Sequence, residues 1–326
     1  MRELFSLPSR PLREEGGLTC RYCFNQCLIG KGSRGYCGVR ENRDGKRLLP
    51  SPKSGYFSFY HDPLPTNCVA DWVCAGGTGS GYPTHAYCQG PEYGFRNLAV
   101  FYYGCSLDCL FCQNWQHKRG SEEGEPRTSE ELAQAVDRKT SCICYFGGDP
   151  SPHLPHSIRT SRLAKAQNPG RILRFCWETN GTMNPRFLEE ILDIALESGG
   201  CVKFDLKTYD SKLNMALCGR PNDQTLKNFE LASRWFKQRR EPPLVVASTL
   251  LVPGYVEREE VARIARFIAS LNPEIPYSLL GFCPHFFLKD LPRTSRRHAE
   301  ECRQSAIEAG LKRVRIGNIH LLGGDY

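Results

Sequence analysis

Residues 102–115 read Tyr-Tyr-Gly-Cys-Ser-Leu-Asp-Cys-Leu-Phe-Cys-Gln-Asn-Trp, and the three cysteines in this stretch decide the interpretation of the chain. Cys105, Cys109 and Cys112 are separated by three and two residues, so one tight loop can offer three thiolates to a cubane iron–sulfur cluster. Ordinary electron carriers hold such a cluster with four thiolates. With three, one iron stays open and can chelate a substrate, and the cluster then supplies the chemistry.

Two other interpretations of these cysteines are a zinc ribbon and a set of structural disulfides. Zinc sites usually pair two short Cys clusters around one tetrahedral ion, whereas here three close cysteines follow a predicted strand. The chain contains 17 cysteines, and in a reducing compartment such a number points to metal ligation rather than disulfides. The spacing therefore favours the iron–sulfur cluster.

The composition is that of a soluble globular enzyme. The 326 residues can bury a large core, and the hydrophobic fraction of 40% is ordinary. No apolar run reaches the length of a membrane helix, and the first residues lack the apolar core of a signal peptide, so we expect a cytoplasmic protein without membrane contact. The net charge of +8 comes from dispersed residues, which is typical of solvated helix surfaces and does not indicate nucleic-acid binding.

The chain divides into two regions that differ in composition and in hydrophobic pattern. Residues 1–96 are irregular and rich in Gly, Pro, Cys and aromatic residues. In residues 97–326, apolar runs typical of buried parallel strands alternate with helical patterns. The predicted strands are Leu98–Tyr103, Cys142–Phe146, Ile172–Trp177, Cys201–Leu206, Leu244–Leu251, Pro276–Leu280 and a short Arg313–Ile316.

The helical patterns between these strands complete the prediction of the fold. They cover Ser129–Asp137, Asn184–Glu197, Thr225–Lys237, Val256–Ile268 and Ser295–Glu308. About six β/α units predict an α/β fold, a partial (β/α)6 open barrel preceded by an irregular Cys-rich N-terminal extension. In such barrels the chemistry lies at the C-terminal ends of the strands.

The cysteine motif resembles the signature of the radical S-adenosylmethionine (SAM) enzymes, C-x-x-x-C-x-aromatic-C, with Phe111 at the aromatic position. This resemblance implies a [4Fe-4S] cluster whose open iron binds the amino and carboxylate groups of SAM. It also implies that an electron from the cluster, supplied by a reductant such as flavodoxin or ferredoxin, splits SAM to a 5′-deoxyadenosyl radical. The barrel predicted above is then of the radical SAM type.

Further motifs follow the predicted strands in the order of the family. After the second strand, Gly147-Gly148-Asp149-Pro150 resembles the family's Gly-Gly-Glu-Pro stretch, whose backbone meets the SAM amino group. By itself this sequence is also a plausible turn, although adjacent glycines allow close approach to a ligand. Thr179 and Asn180 follow the third strand and are further candidates for SAM binding.

Asp205-Leu-Lys207 after the fourth strand narrows the resemblance to glycyl radical enzyme activating enzymes, such as the pyruvate formate-lyase activator. Both charged residues lie on one face of the strand and can point into the barrel mouth, although a surface ion pair is the alternative. His285 resembles the activators' ribose-binding His, and its alternative is a structural histidine. Ser248 stands where the activators carry a positively charged residue. We therefore do not expect this chain to make the contact that the activators make through that residue.

The N-terminal region contains a second group of cysteines, Cys20, Cys23, Cys27 and Cys37. These four could hold Zn²⁺ or an auxiliary iron–sulfur cluster, or they could remain reduced and unliganded. A similar segment ending in Cys-Gly-Val-Arg occurs in the AmmeMemoRadiSam group, whose resemblance covers most of the chain.

A third, looser group of cysteines surrounds a glycine-rich stretch and consists of Cys68, Cys74 and Cys88. The stretch lacks the Lys-Ser/Thr ending of a phosphate-binding loop, and no helix is predicted after it. It is interpreted as a structural loop that could lend a ligand to a second metal. Four other cysteines lie in predicted strands and are expected to be small buried residues: Cys142, Cys144, Cys176 and Cys201.

The sequence therefore predicts a radical SAM oxidoreductase that abstracts hydrogen from a protein or peptide substrate, as activating enzymes do. Within enzymes, the alternative is another radical modification of a peptide or small molecule. If the protein is not an enzyme, the alternative is a non-catalytic iron–sulfur or zinc module for electron transfer. The strand-end motifs favour catalysis, because an electron carrier needs no SAM site. The substrate and the oligomeric state do not follow from the sequence.

Overall fold

The computed structural model describes residues 1–119 and 124–326, which form a mixed α/β fold around a mostly parallel sheet. Twelve strands lie in these ranges: β1 Leu18–Thr19, β2 Leu28–Ile29, β3 Ser54–Gly55, β4 Phe57–Pro63, β5 Arg96–Tyr102, β6 Arg127–Thr128, β7 Thr140–Gly147, β8 Arg174–Thr179, β9 Val202–Asp205, β10 Val245–Leu251, β11 Tyr277–Gly281 and β12 Val314–Gly317.

Eight α-helices lie in the same ranges, and most of them cover the outer face of the sheet. They are α1 Ala75–Thr78, α2 Ser129–Gln134, α3 Leu154–Gln167, α4 Pro185–Ser198, α5 Ser211–Cys218, α6 Asp223–Trp235, α7 Arg258–Leu271 and α8 Arg296–Glu308. No helix in the described parts of the chain has the length and apolar character needed to cross a bilayer.

The central sheet has eight strands in the order β12-β11-β10-β9-β8-β7-β5-β4. Only β4 runs antiparallel, against β5, and every other neighbouring pair is parallel. The edge strands β4 and β12 do not pair with each other, so the described sheet is an open barrel. This confirms the predicted α/β fold class.

The strands form where the chain is apolar on both faces. In β7, the six residues from Thr140 to Tyr145 are all buried, as expected of a parallel strand covered on both sides. The helix α4 begins at the cap residue Asn184, whose side chain accepts a hydrogen bond from Arg186 N–H at 3.1 Å. It ends at Gly199, which has a φ of 80° that favours glycine.

All seven predicted strands are present, with ends within two residues of the prediction, and the five predicted helices are also present. The longer elements that were missed are β4, in the region expected to be irregular, and the helices α3 and α5. The two-residue strands β1, β2, β3 and β6 were not predicted either. The glycine-rich stretch itself forms the single-turn helix α1, and no helix follows it before β5, as predicted.

The N-terminal region closes the lower end of the barrel, where the parallel strands begin. Glu92 is fully buried there and accepts two hydrogen bonds from Arg174, at 2.8 and 2.6 Å. Nearby, Trp72 Nε1 donates to Ser278 Oγ at 3.0 Å, and Lys203 Nζ lies 3.0 Å from Cys68 Sγ. The N-terminal segment is therefore part of the wall of the barrel interior.

We predict that Glu92→Ala destabilises the protein strongly, because it leaves the buried Arg174 guanidinium without its counter-charge. The loss in free energy of unfolding should be about 3–5 kcal/mol, the usual cost of breaking a buried ion pair. Glu197→Ala, which removes the exposed Lys165–Glu197 pair, is the matched control and should cost less than about 1 kcal/mol. Urea denaturation curves measure both, and equal midpoints for the two variants would contradict the prediction.

Candidate active site

A cavity of about 390 Å³ occupies the barrel interior and reaches the C-terminal ends of the strands. Ten of the residues predicted for the site line it: Cys105, Cys109, Cys112, Gly147, Gly148, Asp149, Thr179, Asn180, Asp205 and Lys207. His285 and the four N-terminal cysteines are not part of its wall. The topology thus brings most of the predicted site together.

The cysteine loop, which comprises Cys105, Cys109 and Cys112 and the residues between them, follows directly after β5. Its backbone is fixed by the end of α5, because Asp108 N–H donates to Cys218 O at 2.8 Å and Leu110 N–H donates to Leu217 O at 2.9 Å. Where the loop begins, Cys105 N–H donates to the carbonyl oxygen of Cys37 at 3.3 Å. The loop is therefore held by two distant parts of the chain.

Buried charges lie beside the cysteine loop. Asp108 forms ion pairs with Lys118 and with Arg2, whose Nη1 is 3.5 Å from Asp108 Oδ1, and all three side chains are buried. Two cations against one carboxylate leave an excess positive charge, which favours an anionic group at the loop. The sequence analysis missed Arg2, Asp108 and Lys118, although Asp108 and Lys118 flank the motif closely.

Burial controls the protonation of the loop thiols. It raises the pKa of Cys112 to about 11 and that of Cys105 well above its usual value. The pKa of Cys109 is lowered, first by a hydrogen bond with the Cys218 thiol. Burial therefore keeps Cys105 and Cys112 protonated at neutral pH, and a metal that binds them as thiolates must displace their protons.

The Gly147-Gly148 pair brings its loop against the cysteine loop. Gly147 has a φ of 114°, and a Cβ on it would lie 2.5 Å from the backbone of Tyr102. A Cβ on Gly148 would lie 2.4 Å from the carbonyl oxygen of Gly104. Larger residues at either position would separate the two loops, so both glycines are needed for this close approach.

Asp149 ties the glycine loop to the end of β8. Its Oδ1 accepts hydrogen bonds from Thr179 Oγ1 at 2.9 Å and from Asn180 N–H at 2.8 Å, and its Oδ2 accepts from Ser151 N–H at 2.8 Å. Burial raises the pKa of this carboxyl group. With both oxygens engaged by the protein, the Asp149 side chain positions the loops rather than facing the cavity as a free acceptor.

Asp205 and Lys207 form a close ion pair in the cavity wall. Burial acts to lower the pKa of Lys207, but the Asp205 carboxylate and the Cys109 thiol outweigh it and raise that pKa, so the ammonium stays charged. Among the described residues, the buried Asp205 Oδ1 has no hydrogen-bond partner. The pair therefore offers both a cation and an unused acceptor at the cavity.

His285 lies in the segment that follows β11 and packs against the outside of the cysteine loop. Phe287 N–H donates to Leu110 O at 3.0 Å, and the Phe286 ring stacks on Trp115 with centroids 5.7 Å apart. The buried His285 Nε2 finds no hydrogen-bond partner within the described residues. The structure thus brings this segment near the site without placing His285 in the cavity wall.

The four N-terminal cysteines lie close together next to the cysteine loop. Cys20 N–H donates to Cys27 O at 2.8 Å, and Tyr36 N–H lies 3.4 Å from Cys27 Sγ. Within residues 1–119 and 124–326, however, no set of three or more His, Cys, Asp or Glu side chains is placed to hold one metal ion. A second metal centre in this region stays a prediction.

The lower half of the cavity, near the start of the parallel strands, contains cysteines that the sequence analysis did not predict to lie together. Cys68 and Cys74 pack against the four strand cysteines, which are buried as predicted. Cys68 and Cys144 line both the main cavity and a smaller space of about 30 Å³ beneath it. Their association depends on packing between distant segments, and no local motif indicates it.

The comparisons with known proteins agree with this geometry. The chain is 25% identical over 315 residues to the uncharacterized protein MJ0808 of Methanocaldococcus jannaschii, covering 94% of this chain and 83% of that protein. It is 27% identical over 201 residues to the pyruvate formate-lyase-activating enzyme of Staphylococcus aureus, covering 56% of this chain and 74% of that enzyme.

Among solved structures, Streptococcus suis SuiB bound to its precursor peptide SuiA aligns with a TM-score of 0.51 at 17% identity, over 67% of this chain and 47% of that chain. This likeness concerns the fold. The family model of the radical SAM superfamily matches residues 99–268, which is more than half of the 326 residues. The chain therefore belongs to the radical SAM superfamily, whose members use a [4Fe-4S] cluster and SAM.

Proposed function

We propose that the chain binds a [4Fe-4S] cluster through Cys105, Cys109 and Cys112, cleaves SAM reductively and abstracts hydrogen from a protein or peptide substrate. One observation carries this proposal: the cysteine loop, the glycine pair and the Asp205–Lys207 pair line the same cavity. A cubane spreads its ligands over several irons. The absence of a single-ion site among the described residues therefore does not count against the cluster.

The residues of the cavity fit the chemical groups of SAM. The unpartnered Asp205 Oδ1 can accept a hydrogen bond from the amino group or the ribose, and the Lys207 ammonium can pair with the carboxylate. The backbone at Gly147 and Gly148 is the predicted contact for the amino group, with Thr179 and Asn180 beside it. His285 is proposed to approach the ribose from the neighbouring segment.

When bound, the cluster and SAM supply the electron and the hydrogen-abstracting radical. The chain's own residues bind and orient them. Buried positive charge from Arg2 and Lys118 beside Asp108 would stabilise an anionic cluster. The hydrogen bonds that Cys218 O and Cys37 O accept from the loop backbone hold the loop in place. Flavodoxin or ferredoxin is the proposed reductant.

The open edge of the barrel supports a peptide or protein as the substrate. The cavity is lined by Tyr60 and Asp62 of β4 on one side and by Arg315 and Gly317 of β12 on the other, and these strands do not pair. A chain segment could enter between them. The names of two similar proteins, a pyruvate formate-lyase-activating enzyme and SuiB bound to its precursor peptide, point to the same substrate class.

The test combines the anaerobically reconstituted protein with SAM, a reductant and a candidate partner protein that carries a glycyl radical loop. The proposal predicts that 5′-deoxyadenosine forms in step with a glycyl radical signal in electron paramagnetic resonance (EPR) spectra. Cleavage of SAM without a radical on the partner would exclude that partner and leave other peptide modifications. No cleavage of SAM with any reductant would contradict the proposal itself.

The four N-terminal cysteines are proposed to hold a second metal centre that stabilises the irregular region around them. Metal binding can supply folding free energy where the core is thin. We expect the reconstituted protein to contain zinc, or iron beyond one [4Fe-4S] cluster, and this excess should be lost in Cys20→Ala and Cys23→Ala variants. Cys302→Ala, in the helix α8, is the control. If metal analysis of the unaltered protein finds neither zinc nor iron beyond one [4Fe-4S] cluster, the proposal of a second metal centre is wrong.

A further inference from the structure

Each thiol of the cysteine loop lies against a hydrogen-bonding group from outside the loop. Asn180 Nδ2 lies 3.5 Å from Cys105 Sγ, and the Cys218 thiol hydrogen-bonds with Cys109. Hydrogen bonds to the sulfurs of an iron–sulfur cluster are among the features that set its reduction potential. The loop is therefore surrounded by groups that can tune a cluster as well as hold it.

His117 is the group that lies against the third thiol. Its Nε2 is 3.7 Å from Cys112 Sγ, and its side chain lines the cavity although the residue is only 6% exposed. The residue sits in the 3₁₀ turn Trp115–Lys118, which directly follows the cysteine loop. Its backbone carbonyl accepts a hydrogen bond from Gly104 N–H at 3.1 Å, so the turn is fixed to the start of the loop.

The other side of the His117 ring is fixed by the glycine loop. A Cβ on Gly148 would lie 2.7 Å from His117 Cγ and 2.8 Å from His117 Nδ1, so the ring packs directly on the Gly148 backbone. Within the described residues, Nδ1 is buried and has no hydrogen-bond partner. The ring is therefore wedged between the two loops, and Nε2 is the ring nitrogen that faces the Cys112 sulfur.

A neutral imidazole carries one N–H, and a sulfur that ligates a metal is an acceptor. Placing the hydrogen on Nε2 directs it at Cys112, whereas placing it on Nδ1 would turn a lone pair towards the sulfur.

On the basis of the proposed function, we propose that His117 is a positioning residue that donates an Nε2–H hydrogen bond to the Cys112 sulfur and raises the reduction potential of the cluster. Reduction adds negative charge that is shared by the sulfurs, so a fixed donor stabilises the reduced state more than the oxidised one. The same contact fixes the distance between the cysteine loop and the glycine loop.

The test compares the cluster's midpoint potential in the wild type with that in His117→Phe and His117→Gln, by EPR-monitored titration without SAM. Phe keeps the planar shape and removes the donor, whereas Gln keeps an N–H. We expect the Phe variant to lower the equilibrium constant for reduction about tenfold, which is about 59 mV for a one-electron couple. The Gln variant should recover part of this loss, and His298→Phe, a buried histidine on α8, should leave the potential unchanged.

A second measurement uses the wild-type protein labelled with ¹⁵N-histidine. Pulsed EPR of the reduced cluster should detect a weak ¹⁵N coupling that disappears in His117→Gln. An unchanged potential in a cluster-loaded Phe variant would overturn the role of His117. If that variant binds no cluster, absence of the ¹⁵N coupling in the wild type would overturn it. A wild-type protein without a SAM-responsive cluster would instead contradict the proposed function.

Discussion

Replacement of Cys105, Cys109 and Cys112 together by alanine is expected to abolish both the [4Fe-4S] cluster signal and the formation of 5′-deoxyadenosine. Each thiolate supplies one iron ligand, and a methyl group cannot replace it. The loop backbone should survive, because the end of α5 and the carbonyl of Cys37 hold it through main-chain hydrogen bonds. The effect should therefore be a loss of cofactor rather than a loss of fold.

Iron analysis, EPR after reduction and chromatographic detection of 5′-deoxyadenosine measure this outcome. Cys88→Ala is the control, because Cys88 does not line the cavity and its thiol donates hydrogen bonds to the backbone oxygens of Gly90 and Pro91. It should retain the cluster and the activity. Cleavage of SAM at the wild-type rate by the triple variant would refute the cluster assignment.

Asp205→Ala and Lys207→Ala are expected to retain the cluster but to bind SAM about tenfold to a hundredfold more weakly. Within the described parts of the chain, Asp205 Oδ1 is a buried acceptor without a hydrogen-bond partner. The Lys207 ammonium is held charged by Asp205 and the Cys109 thiol. A charge-assisted hydrogen bond is worth about 1.5–3 kcal/mol, which corresponds to this loss in affinity. A misplaced sulfonium should also slow the cleavage of SAM.

Titration of the reduced cluster with SAM, followed by EPR, gives the affinity, and iron analysis shows whether the cluster is retained. Glu190→Ala, which breaks an exposed ion pair with Arg162, is the control. Lower iron content in both variants would assign the pair to cluster assembly instead. Wild-type affinity and cleavage in both variants would remove Asp205 and Lys207 from the SAM site.

The sequence predicted the sheet well, because its strands are nearly continuous apolar runs. The strand β4 was missed, since its residues alternate between buried and exposed positions in a region without other regular pattern. The helix α3 was missed because it has a weakly amphipathic sequence that begins with Leu154-Pro-His. Both elements depend on packing against the sheet more than on local preference.

The upper half of the cavity was predictable for a topological reason. Parallel strands end at one edge of the sheet, so motifs that follow successive strands converge there, as Cys105, Asp149 and Asp205 do. The contacts of Arg2 with Asp108 and of Cys37 with Cys105 join residues far apart in the chain. No local pattern marks such contacts, and the same holds for the cysteines in the lower half.

The EPR spectrum of the reduced wild-type protein, recorded before and after addition of SAM, tests the central claim most directly. The account predicts a [4Fe-4S]⁺ signal that changes on addition of SAM and then decays as methionine and 5′-deoxyadenosine form in equal amounts. A [4Fe-4S]⁺ signal that SAM leaves unchanged, with no 5′-deoxyadenosine formed, would contradict it.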